Sequence, residues 1–143
     1  MNITRKSLTS AGCGIVLTTG LIVILVLITG PFIHDLPASI QKSIPMFIFF
    51  FSLLIIAPLL SMRLYRLDDT GKILGWTFIG TGAEIAAFPF SLLFIMKSIE
   101  ASGALLVTLM IVASSFIFCI PAGMISISAG ILIMKHRKFL KFR

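Results

Sequence analysis

Apolar residues run along this chain in long blocks, without the period-2 alternation of a half-buried strand. Four blocks stand out, at about residues 11–33, 45–62, 72–96 and 103–134. Crossing a hydrocarbon core of about 30 Å takes about 20 helical residues. In lipid the backbone must also satisfy its own hydrogen bonds, which a helix does within one segment. The pattern therefore predicts four transmembrane helices. The intervening segments are too short to fold separately, so residues 1–143 read as one all-α membrane domain. The expected architecture is an up-down four-helix bundle with a basic tail at 135–143.

Composition supports that reading. The chain is 58% hydrophobic and 12% charged, against roughly 25% charged in soluble domains, and its mean hydropathy is +1.13. Too few polar groups remain to clothe a soluble fold, which excludes a soluble enzyme, a disordered segment and a disulfide-stapled secreted module. The first block follows Arg5 and Lys6 as a signal peptide would. It outruns a typical h-region, however, and no A-x-A-like site follows it, so it reads as a retained helix.

Charge adds orientation. Of twelve Lys and Arg, ten fall on one side of the predicted topology: Arg5, Lys6, Arg63, Arg66, Lys72, Lys135, Arg137, Lys138, Lys141 and Arg143. Lys42 and Lys97 fall on the other. The positive-inside rule then places both termini in the cytoplasm, and the plasma membrane is the expected location. Tyr65 and Trp76 fall where an interfacial aromatic belt belongs. In the tail, Lys135, Arg137, Lys138, Lys141 and Arg143 alternate with Phe139, Leu140 and Phe142, a pattern suited to anionic lipid headgroups. The basic balance therefore calls for no nucleic-acid partner.

Local signals refine the elements. Asp69 or Thr70 is placed to cap the third helix. Pro45 and Pro58 are expected to mark the start of the second helix and a bend in it. Pro121 brings no N–H to the carbonyl of Ile117, so a kink is expected in the fourth helix. The uncharged run 101–134 would span about 51 Å as a helix, more than the hydrocarbon thickness.

Glu84 is the one acidic residue at membrane depth. A charge there costs at least a few kcal/mol, so such residues face the protein interior and are candidates for function. Thr77, Gly80, Thr81, Ala87 and Ser91 share its helical face as a small and polar stripe. Ser115, Cys119, Ala122, Ser126 and Ala129 form a comparable stripe on the fourth helix. Small residues permit close helix approach and hydroxyls can share hydrogen bonds, so these two helices are expected to face each other, with Glu84 near the level of Cys119 and Ala122. Two readings of Glu84 stay open: a protonated acid hydrogen-bonded within the bundle, or a carboxylate that binds a proton or cation on a transport path.

Other chemistry is sparse. Cys13 and Cys119 lack metal-ligand spacing and read as small apolar thiols. His34 and Asp35 read as an interfacial pair rather than a metal site, and His136 lies on the opposite side. Nucleotide-loop, hydrolase-triad and zinc-protease motifs are missing from the sequence. The expectation is a chain without a cofactor or catalytic set. Its partners would be the lipid bilayer and either other membrane subunits or further copies of itself. The leading expectation is a non-catalytic subunit that helps assemble or stabilise a larger membrane complex. The alternative is a small oligomeric transporter or channel that uses Glu84.

Overall fold

A computed structural model describes residues 3–67, 69–99 and 105–136. They form helices α1 (Ile3–Ile33), α2 (Ala38–Phe51), α3 (Ala57–Tyr65), α4 (Thr70–Ile99) and α5 (Leu105–Lys135), with a π-helical turn, Ser52–Ile56, joining α2 to α3. There is no strand among the described residues. Among the described residues four helical segments are long and apolar enough to cross a membrane, with α2, the π-turn and α3 together making the second. The protein is thus an all-α integral membrane protein with four spanning helices. Arg137, Lys138, Lys141 and Arg143, Asp68, the start of the fourth predicted block and the side chain of Lys97 lie outside the described residues.

The helices outrun the four apolar blocks. At 1.5 Å per residue the 31 residues of α1 span about 46 Å, so its ends reach beyond the hydrocarbon into the headgroup layers. Lys6 lies at one of those ends, its Nζ 4.8 Å from the centre of the Tyr65 ring. This cation–π contact ties the start of α1 to the end of α3 and contributes about 0.5–1 kcal/mol at an exposed site.

The second span corrects the expected boundary. It begins at Ala38 and carries Pro45 inside it. Pro37, extended at φ −54° and ψ 143°, ends the connection from α1. The Gln41 side chain donates to the carbonyls of His34 and Leu36 at 2.7 and 2.8 Å, which fastens the turn to the first coil of α2. That anchoring lets the helix start early, and Pro45 then costs one backbone bond, to the Gln41 carbonyl. Pro58 sits in the first turn of α3, just after the π-turn. There the Ala57 N–H donates to the Ser52 carbonyl, five residues back. At the next connection the Gly71 N–H donates to Asp69 Oδ1 at 3.2 Å, so Asp69 caps α4 as its position suggests.

Packing follows small residues. Helices immersed in lipid gain little from burying apolar surface, so close van der Waals contact and interhelical hydrogen bonds hold them together. The most extensive contact joins α4 and α5. Gly75 faces Gly130, and two turns further on Gly82 faces Gly123. A β-carbon on Gly82 would stand 2.7 Å from the Gly123 carbonyl oxygen, and one on Gly123 2.6 Å from that of Gly82. The other pair is equally close, at 2.9 and 2.6 Å. Between the two pairs Ser126 Oγ donates across to the Phe78 carbonyl at 2.9 Å. Beyond them Phe90 and Phe116 meet edge to face, with ring centres 5.0 Å apart.

The other interfaces repeat the principle. Gly14 of α1 lies against the backbone of Ala57 and Ser61 on α3. Gly80 of α4 receives the Leu17 side chain of α1. Cys13, Leu17, Leu64 and Ile73 form a buried cluster where α1, α3 and α4 converge, with Leu60 and Leu67 packed on it. The order of contact is α5 on α4, α4 on α1, and α1 on α3 and α2. The α2 end stays open: no residue of α2 is buried, and Phe47, Phe49, Phe50 and Phe51 are exposed.

These distances predict that Gly82→Leu or Gly123→Leu destabilises the protein by about 1–3 kcal/mol, the usual cost of overpacking a tight contact. Gly12→Leu serves as control, because a β-carbon there meets nothing within 4 Å. Unfolding in a mild detergent should show a lower Tm for the first two variants and an unchanged Tm for the third.

Candidate functional site

The glycine seam decides where Glu84 points. Helical residues advance about 100° each, so Glu84 lies about 200° around α4 from Gly82. With Gly82 against α5, Glu84 is turned toward α1. Its carboxylate lies against Gly20, where a β-carbon would stand 2.6 Å from Glu84 Cδ. The absence of a side chain at Gly20 leaves this space to the carboxylate, which would have to shift if a Cβ were added.

The carboxylate borders a groove of about 560 Å³ lined by α1 and α4, with Cys119 contributed by α5. The α1 wall includes Ile15, Val16, Val23 and Ile24, and the α4 wall Ile85 and Phe88. Thr19 and Thr81 also line it. The Thr19 hydroxyl is occupied, donating to the Ile15 carbonyl at 2.9 Å. Neither Glu84 nor Thr81 has a hydrogen-bond partner among the described side chains and backbone groups. Pro89, buried in α4, brings no N–H to the carbonyl of Ile85 on the groove wall. The groove surface is therefore largely apolar, with Glu84 and Thr81 its polar side chains left without a hydrogen bond among the described residues.

The other residues of the expected polar stripes separate. Thr77 donates to the Ile73 carbonyl at 2.7 Å, Ser91 to that of Phe88 at 2.6 Å and Ser115 to that of Ile111 at 2.7 Å, each within its own helix. Ser126 is the residue that bonds across α4 and α5. Glu84, Thr81 and Cys119 share the groove, whereas Thr77, Ser91, Ser115 and Ser126 do not line it. Helices α4 and α5 do face each other, chiefly through glycines, with Ser126 as the stripe residue that hydrogen-bonds across. Pro121 lies within an uninterrupted α5 and is exposed. Lys135 ends that helix, also exposed. Cys13 is buried in the α1–α3–α4 cluster and Cys119 is half-buried, both as free thiols.

A second cavity, about 930 Å³, opens at the far ends of α1 and α4. His34 and Asp35 line it beside Phe32, Phe90 and Phe94. Among the described residues no three His, Cys, Asp or Glu side chains come together as a metal site would require.

Gly20 and Pro89 were not legible as site residues. Gly20 is one of several glycines in α1, and nothing local marks it as the neighbour of an acid on another helix. Pro89 does carry a readable signal, since a proline five residues after Glu84 exposes a carbonyl one residue from it. Compared with known proteins, the chain matches no protein family, no curated protein sequence and no solved structure.

Proposed function

We propose that this protein is a small non-catalytic membrane subunit that packs against, and helps assemble or stabilise, a larger membrane complex. The observation that carries this reading is the uncovered flank formed by α2, which buries no residue of its own and leaves Met46, Phe47, Phe49, Phe50 and Phe51 exposed. The opposite flank, α5, likewise leaves Ile117, Phe118, Met124 and Ile125 exposed. Lipid can cover both flanks. A helix of a partner subunit would cover them as well, and one laid over the groove can carry the donor that Glu84 lacks among the described residues. The ten-to-two distribution of cations supports placing both termini in the cytoplasm.

Purification in a mild detergent followed by mass measurement of the intact particle tests this reading. A particle containing a second, stoichiometric membrane subunit is expected. A stable self-oligomer or monomer with no foreign subunit would overturn it.

A second reading is favoured by one specific observation: Glu84 borders a groove of ligand size without a hydrogen-bond partner among the described residues. In that reading the chain is a small oligomeric transporter or channel, and Glu84 binds the coupling or transported cation. Proteoliposomes carrying Glu84→Gln should then show at least about a tenfold loss of proton- or cation-driven flux, the loss of one charge-assisted interaction. Flux equal to the unsubstituted protein would remove Glu84 from any transport mechanism.

A further inference from the structure

The groove beside Glu84 differs from the remaining uncovered surface in shape and in chemistry. Its volume of about 560 Å³ falls within the 300–1,000 Å³ range of small-molecule sites. Its walls are branched aliphatic and aromatic, and its free polar groups are the Glu84 carboxylate and the Thr81 hydroxyl, beside the Ile85 carbonyl that Pro89 leaves without its helical donor. No Lys, Arg or His side chain lines it. Among the described residues nothing cationic balances the carboxylate, and the groove lies beside it.

We infer that this groove is a binding site for a lipophilic organic cation, a molecule with one positive centre on an apolar or aromatic body. The positive centre lies at Glu84, where charge attraction is strong because the surroundings are apolar. The body fills the space between Val16, Val23 and Ile24 on α1 and Ile85 and Phe88 on α4. Phe88 offers a ring face to a cation as well as apolar area. A purely apolar occupant such as an acyl chain would leave the carboxylate without a partner, and a small hydrated metal ion would leave the apolar walls unfilled. Gly20 gives the carboxylate its present position against α1, and a side chain there would make it shift along the groove.

This inference deepens the transport reading and rests on it for biological purpose, while the binding event stands on its own geometry. The test measures saturable binding of tetraphenylphosphonium to the full chain in lipid nanodiscs, with empty nanodiscs subtracted. The neutral triphenylphosphine oxide is the matched control. The unsubstituted protein should bind the cation saturably and the neutral compound at least about tenfold more weakly, because a unit charge near the carboxylate in apolar surroundings is attracted by at least that factor. Glu84→Gln should lose the cation by a similar factor, and Glu84→Asp should restore part of the binding. Ile85→Trp, which keeps the carboxylate and fills the groove, should lose it too; circular dichroism and Tm establish that each variant is folded. Absence of saturable binding by the folded protein would overturn the inference. So would equal binding of the neutral compound, or unchanged binding by folded Glu84→Gln. Binding that depends on Glu84 without any flux that depends on it would refute transport and leave the site standing. Flux that depends on Glu84 without cation binding would do the reverse.

Discussion

The contact between α4 and α5 governs the rest of the molecule. Two glycine pairs, Gly75 with Gly130 and Gly82 with Gly123, bring the two helix backbones into direct contact, and Ser126 bridges them to the Phe78 carbonyl. In water such a pair of helices would be driven together by burying large apolar side chains. In lipid that drive is missing, and close approach over small residues takes its place. Once one face of α4 is committed to α5, the opposite face is left for α1. Gly80 accepts Leu17 there, and Gly20 accepts Glu84. The position of the single intramembrane acid thus follows from glycines on the other side of its helix.

Much of the fold could be read from the chain because the bilayer imposes length and composition. Four apolar blocks gave four spans, and of the two cap candidates, Asp69 and Thr70, the structure uses Asp69. The start of the second span was misplaced because Pro45 looked like a beginning. Gln41 fastens the preceding turn to His34 and Leu36, and the helix tolerates one missing backbone bond. Glu84 was legible as a solitary acid, but its surroundings were not. Hydroxyl residues at helical spacing around it suggested one shared polar face. Thr77, Ser91 and Ser115 instead donate to carbonyls of their own helices, the ordinary satisfaction of a hydroxyl where no water is present. The glycines that set the interfaces carry no chemical mark of their own. Their pairing across helices depends on register, which only the folded arrangement supplies.

The same arrangement frames the functional readings. A chain whose helices pack in the order α5, α4, α1 and then α2 with α3 keeps long lateral faces for lipid or for other helices. The groove beside Glu84 is a different surface, because a carboxylate is poorly served by hydrocarbon. Both the subunit reading and the transport reading assign the missing donor to something outside this chain. They differ in whether it arrives on a neighbouring helix or on a ligand.

The central claim is that Glu84 faces Gly20 on α1 rather than α5. Cysteine pairs tested in membranes, with Cys13 and Cys119 replaced by alanine, address it most directly. Gly20→Cys combined with Glu84→Cys should form a disulfide under mild oxidation, whereas Glu84→Cys combined with Ala122→Cys should not. Cross-linking of the second pair and not the first would contradict the account.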